Sequence, residues 1–79
     1  MHLEFYTTSS PFSSSSPYLT KDVRTAIESW CDYREMYYDL YEHRSGTWGV
    51  TLRLYFHSDQ DVTMFVLGFD QYKFTVCKR

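Results

Sequence analysis

The sequence has no surplus of positive charge, and this shortage bears on the kind of partner it can bind. It contains 8 Lys and Arg against 10 Asp and Glu, which gives a formal net charge of −2. Binding along a phosphate backbone needs clustered cations, so nucleic acid is not expected as the partner. The acidic surplus is also too small for a mimic of DNA, which needs a dense field of carboxylates.

Cysteines and apolar runs are scarce as well. Only Cys31 and Cys77 are present, and two unmatched cysteines in a small chain predict reduced thiols in a cytosol, with a disulfide between them as the alternative. The first residues, MHLEFYTT, lack the basic and apolar regions of a secretion signal. No apolar run approaches the ~20 residues that span a membrane. We therefore expect a complete cytoplasmic protein with no membrane association.

Aromatic residues are abundant and make up 20% of the 79 residues. One domain over residues 1–79 is expected, near the lower size limit for a fold without staples, and buried rings would supply much of its core. The segment SSPFSSSSP, residues 9–17, is predicted to be a loop because serine and proline disfavour regular structure. A loop of this length is either disordered or functional, and Phe12 in it is a candidate anchor for a partner.

Changes of hydrophobic period divide the rest of the chain into six segments. Alternation predicts strands over residues 2–8, 36–43, 48–57 and 72–77, and helical spacing predicts helices that end near residues 33 and 68. The first helix starts either at Ser16-Pro17 or at Thr20, and the second could instead be a fifth strand because it is rich in strand-forming residues. The order β-α-β-β-α-β is that of the ferredoxin-like fold: an antiparallel sheet in the spatial order 4-1-3-2 with both helices on one face.

Local signals support these boundaries. Gly46 suits the tight turn between the second and third strands. Ser58 with Asp61 three residues later predicts the N-terminus of the second helix, and Gly68 is predicted to follow its last turn. The predicted core is Leu3, Phe5, Val23, Ile27, Trp30, Leu40, Val50, Leu52, Leu54, Phe65, Phe74 and Val76.

In this arrangement one face of the sheet is left free, and the alternation places tyrosines on it. The candidate partner-binding residues are Tyr6, Tyr37, Tyr41, Arg53 and Tyr55, with Phe12 from the serine loop. Tyrosine offers a large amphipathic area at low entropic cost and is enriched at binding hot spots. The alternative is that these tyrosines only stabilise the sheet through cross-strand pairing.

Catalytic and metal-binding patterns are not visible. His2, His43 and His57 are isolated, and no motif places Cys77 near a histidine. Acylphosphatases have the same fold, but their phosphate-cradling loop after the first strand is replaced here by serines. Asp59 and Asp61 suit the start of a helix better than a metal site. We therefore expect no enzyme, no catalytic residues, no metal, no cofactor and no small-molecule substrate.

The free face also invites comparison with RNA-recognition motifs, in which aromatic residues on the central strands stack on bases. Tyr6 and Tyr55 occupy roughly the corresponding strands. However, the third strand, TWGVTLRLYF, lacks the basic-glycine-aromatic pattern of those motifs. A small module that binds RNA or single-stranded DNA is therefore the second hypothesis for function.

In general character the whole chain resembles the small proteins that bacteriophages encode against host enzymes or defence systems, including the anti-CRISPR proteins. Those proteins are short, aromatic-rich, single-domain and often of α+β form; ribosome-associated and toxin–antitoxin modules share that character. The resemblance rests on no motif and transfers no residues. It implies a non-catalytic inhibitor that blocks a host or defence-system protein in the host cytoplasm. A symmetric homodimer would be another way to cover the aromatic face.

Overall fold

The described part of the chain folds into one sheet and two helices. The structure is a computed structural model that describes residues 1–9, 18–46 and 48–78. Its elements are β1 (His2–Thr8), α1 (Thr20–Tyr33), β2 (Tyr38–Ser45), β3 (Gly49–Phe56), α2 (Asp59–Gly68) and β4 (Thr75–Cys77). The four strands form a single antiparallel sheet, so the predicted α+β class is confirmed. Phe12 and the rest of residues 10–17 lie outside the described residues.

The strands lie in the order β2-β3-β1-β4, which makes β1 and β3 the central pair. Their register pairs Leu3 with Leu54 and Phe5 with Leu52. These four side chains are fully or almost fully buried. Residues of both helices join them in one core cluster, so the helices pack against this inner face of the sheet.

Phe65 of α2 lies at the centre of the core. Its ring is within 4.6 to 6.1 Å of the rings of five other residues, counted between centroids. Those partners are Phe5, Trp30, Phe56, Phe69 and Phe74. Such edge-to-face and offset contacts add to the gain from apolar burial, which explains how a short chain assembles a core.

Most of the predicted core is buried, with one error at the sheet edge. Trp30, Leu40 and Phe74 are partly buried and pack against the cluster, whereas Val76 is 40% exposed. Val76 does pair with Leu3, but β4 is a three-residue edge strand, and its position leaves the side chain only partly covered. Cys31, Val62 and Phe69 complete the buried set. Both cysteines are free thiols.

Helix α1 starts at Thr20, the second of the two predicted positions. Leu19 occupies the N-cap without a side-chain hydrogen bond. The hydroxyl of Thr20 lies 2.7 Å from that of Thr7 on β1. Together with the backbone bond from Thr8 N–H to the Tyr18 carbonyl, at 2.9 Å, this contact joins the start of the helix to the central strand.

The end of α1 explains why β2 begins at Tyr38 and not at residue 36. Met36 N–H donates to the Cys31 carbonyl and Glu35 N–H to that of Asp32, the pair of bonds that defines a Schellman motif. Glu35 takes the left-handed conformation, with φ 55°. The chain reverses over these residues, so alternation starts after them.

Residues Asp59–Gly68 form helix α2 and not the fifth strand that was the alternative. The start of this helix is capped as predicted. The Ser58 hydroxyl accepts a hydrogen bond from Asp61 N–H. Gly68 was predicted to follow the last turn but is the last helical residue, and its φ is not positive. Gly46 does have a positive φ of 76°, as the turn before β3 requires.

Candidate binding face of the sheet

The surface opposite the helices is called here the outer face. It carries His2, Glu4, Tyr6, Asp39, Tyr41, His43, Thr51, Arg53, Tyr55, Thr75 and Cys77. Cross-strand pairs bring these side chains into rows: Tyr41, Arg53, Glu4 and Thr75 form one, and Asp39, Tyr55, His2 and Cys77 form the next. Among the described elements no helix packs on this face, because both helices belong to the core on the other side.

Glu4 is the centre of the polar contacts on the outer face. His2 Nε2 lies 3.1 Å from Glu4 Oε2, and the Tyr6 hydroxyl donates to Oε1 at 3.1 Å. Arg53 Nε lies 3.2 Å from Oε2, and the two groups form an ion pair. The Nε–H group of Arg53 makes no hydrogen bond to that oxygen. Three neighbours thus stabilise one carboxylate.

These contacts change the protonation of the carboxylate and of its phenol partner. The hydrogen bond with His2, followed by that from Tyr6 and by the charge of Arg53, lowers the pKa of Glu4 against the opposing effect of burial. The bond to Glu4 in turn raises the pKa of the Tyr6 hydroxyl. Both groups therefore keep their charge states, carboxylate and phenol, across the neutral range.

Aromatic contacts hold the rings of the outer face in place. The Tyr55 ring stacks on the imidazole of His2, with centroids 4.9 Å apart and planes 26° from parallel. Tyr41 meets Tyr55 edge to face at 5.6 Å. Tyr41 is 57% exposed and Tyr6 is 54% exposed, so supported rings are presented to the surroundings.

A shallow depression of about 430 Å³ lies between β2 and β3 on this side. Tyr41, Arg53 and Tyr55 line it, together with Asp39, Glu42 and His43. Its walls therefore combine two phenol rings with one guanidinium, the residue types enriched at binding hot spots.

Four of the six predicted contact residues come together, and a fifth, Tyr37, lies apart from them. Tyr6, Tyr41, Arg53 and Tyr55 share the outer face. Tyr37 precedes β2 and lies at the margin, 77% exposed, with its ring 6.3 Å from that of His57. Phe12 is outside the described residues.

The proximity of Cys77 to His2 was not predicted from the sequence. Cys77 is the cross-strand partner of His2, and one ligand atom from each of His2, Glu4 and Cys77 lies within 4.8 Å of the others. Alternation along β4 indicates the face that Cys77 shares with Thr75, but its neighbour on β1 follows only from the register. Burial, and next the charge of Glu4, raise the pKa of the Cys77 thiol, which disfavours the thiolate that a nucleophile needs.

Comparison with known proteins adds no homologue: no protein-family model, no curated protein and no solved structure matches the chain. Neither helix in the described part of the chain has the length and apolar character needed to cross a membrane.

Proposed function

We propose that the protein is a non-catalytic binding protein that occupies a macromolecular partner through its outer face. The observation that carries the proposal is the set of tyrosine rings around Arg53, held on β1, β2 and β3 and left uncovered by the described helices. Large aromatic side chains near a guanidinium supply most of the binding energy at many protein interfaces.

The rings are organised before any partner arrives. Tyr55 is fixed between His2 and Tyr41, and the hydroxyl of Tyr6 is bonded to Glu4. Binding therefore costs less side-chain entropy than it would for freely rotating rings. A rigid sheet with supported tyrosines is suited to a partner whose binding surface is also preformed.

Charge on the outer face favours a protein over nucleic acid. Among the described residues of the outer face, Arg53 is paired with Glu4, and Asp39 lies 3.4 Å from His57. Elsewhere Arg24 is paired with Glu28 and Glu42. Since phosphate binding relies on cations that are free to release counterions, the module stacking RNA or single-stranded DNA bases is the less favoured function.

The ferredoxin-like fold is part of the same proposal. Counted from the edge at β4, the strand order is β4-β1-β3-β2, and this order supports a ferredoxin-like arrangement.

Small size, an aromatic-rich composition and α+β form support a phage-type inhibitor that acts on a host or defence-system protein in the host cytoplasm. A symmetric homodimer through the outer face is the competing assembly.

The test is partner capture with matched variants. Tagged wild-type protein, a variant with Tyr37→Ala, Tyr41→Ala and Tyr55→Ala, and a control with Tyr33→Ala and Leu67→Ala are exposed to bacterial lysate. Tyr33 and Leu67 are 86% and 82% exposed, but they lie on the helices and not on the outer face, so their loss should not affect binding there. We expect a stoichiometric protein that the wild type and the control retain and the tyrosine variant loses.

Three results would count against the proposal. A well-folded tyrosine variant that retains every partner would exclude the outer face. Retention of nucleic acid that weakens steeply with salt would favour the stacking module. Light scattering that gives two chains for the wild type and one for the tyrosine variant would assign the face to a homodimer.

A further inference from the structure

We propose that His2, Glu4 and Cys77 form a binding site for a single zinc ion on the β1–β4 side of the outer face. The three side chains offer an imidazole nitrogen, a carboxylate oxygen and a sulfur, and these ligand atoms lie within 4.8 Å of one another. Zinc is the common biological metal that accepts all three donor types. This proposal goes beyond the proposed partner binding and does not depend on it.

The geometry comes from the sheet and not from a sequence motif. His2 and Cys77 are directly paired across β1 and β4, and Glu4 lies two residues along β1 on the same face. In tetrahedral coordination at ordinary zinc–ligand lengths, the ligand atoms are about 3.3–3.7 Å apart. Nε2 of His2 and Oε2 of Glu4 are already 3.1 Å apart. Closing the site therefore depends on the Cys77 sulfur, which lies within 4.8 Å of the other two ligand atoms.

Neighbouring groups orient two of the ligands. The ring of Tyr55 stacks on His2, which restricts the imidazole. Tyr6 donates a hydrogen bond to Glu4, and Arg53 lies against the same carboxylate. Partners of this kind tune many metal sites through the orientation of their ligands.

The ligands carry charge that suits a divalent ion. One carboxylate and one thiolate supply two negative charges to Zn²⁺ and neutral imidazole adds none, while Arg53 beside Glu4 leaves one positive charge next to the ion. The thiol proton of Cys77 leaves to solvent as the Zn–S bond forms. A fourth position is left for water or for a side chain of a partner.

The outer face contains a matched control. His57 lies 3.4 Å from Asp39, which reproduces the histidine–carboxylate pair of the proposed site, but in the described structure this pair is not part of a cluster of three ligands. The buried Cys31 serves as the control for the second thiol.

The experiment titrates reduced, metal-free protein with Zn²⁺ and with Co²⁺ as a spectroscopic probe. We expect one Zn²⁺ per chain and, with Co²⁺, a thiolate-to-metal charge-transfer band. Loss of a supporting neighbour typically costs 10–100-fold in metal affinity, so Cys77→Ser and His2→Gln should each weaken Zn²⁺ binding by at least about 100-fold. His57→Gln and Cys31→Ala should keep both affinity and band, and Mg²⁺ should not compete because it prefers oxygen ligands.

Far-ultraviolet circular dichroism of the metal-free variants checks folding, and the thermal midpoint provides a second readout. Zinc should raise the midpoint of the wild type and of His57→Gln but not that of Cys77→Ser. Absence of stoichiometric Zn²⁺ binding would overturn the site. So would unchanged Zn²⁺ affinity in folded Cys77→Ser and His2→Gln.

Discussion

The indole ring of Trp30 occupies the space that a side chain on Gly68 would need. A Cβ atom at Gly68 would lie 2.8 Å from Cζ2 of Trp30. The ring has little freedom to move away, because it meets Phe65 at 5.0 Å and the Arg34 guanidinium lies 3.8 Å above it. Gly68 is thus required by helix packing, not by a left-handed backbone.

Gly68→Ala is expected to destabilise the protein although alanine favours helices. In an unobstructed helix the change would stabilise by about 1 kcal/mol. Here the added methyl group displaces Trp30, and overpacking of this kind costs about 1–3 kcal/mol. Urea unfolding at neutral pH measures the net loss.

A double-mutant cycle identifies the cause of that loss. In a Trp30→Phe background the smaller ring leaves room, so Gly68→Ala should be less harmful than in the wild type. An equal loss in both backgrounds would mean that Trp30 is not the obstacle.

Glu35→Gly is expected to stabilise the protein by about 0.5–1 kcal/mol. Glu35 has φ 55°, a conformation that costs a residue with a Cβ about 1–2 kcal/mol and that glycine adopts freely. The greater entropy of glycine in the unfolded chain offsets about half of this gain. Thermal unfolding followed by circular dichroism measures the difference.

Ser29→Gly provides the control for that substitution. Ser29 is exposed within α1, where glycine should lower stability by about 0.5 kcal/mol. If Glu35→Gly were as destabilising as Ser29→Gly, the left-handed conformation at Glu35 would be wrong.

Hydrophobic period predicted the elements better than their ends. The strong alternation around Leu52 and Leu54 identified β3, and the Ser58–Asp61 pair identified α2. The boundary at Met36 was wrong because a non-glycine residue, Glu35, adopts the conformation that ends a helix. The alternation also failed to predict that Val76 is exposed at the edge of the sheet. Alternation indicates which face a side chain lies on, but not how much of that face is covered.

The candidate site, too, was predicted from the sequence only in part. Alternation alone placed Tyr6, Tyr41 and Tyr55 on the outer face. The cluster of His2, Glu4 and Cys77 joins residues from the two ends of the described chain, and only the pairing of β1 with β4 brings them together. Isolated ligand types separated by about seventy residues carry no local signal.

Phe65→Ala is expected to remove about 3–5 kcal/mol of stability. The ring is fully buried and contacts five other rings, so its loss leaves a cavity at the centre of the core. The control is Leu67→Ala on the same helix, which is 82% exposed and should change stability by no more than about 0.5 kcal/mol. Similar losses in the two variants would contradict the assignment of the buried side of α2.

Glu4 is expected to stabilise the fold at neutral pH and to lose that effect in acid. Its pKa is lowered from the usual 4.5, first by the hydrogen bond with His2. A lowered pKa in the folded state contributes stability above the unfolded value of the carboxyl group, and this contribution disappears as pH falls through the folded value. Glu4→Gln should therefore cost about 1 kcal/mol at pH 7, as loss of a charged hydrogen-bond acceptor does.

The measurement is the thermal midpoint of the wild type and of Glu4→Gln between pH 7 and pH 3, with a chelator present to exclude metal effects. The difference between them should shrink as the pH falls below 4.5, the usual carboxyl value. Asp70→Asn, at an exposed position after α2, should differ little from the wild type throughout. A difference for Glu4→Gln that persists unchanged at pH 3 would show that the hydrogen bonds of Glu4 do not depend on its charge.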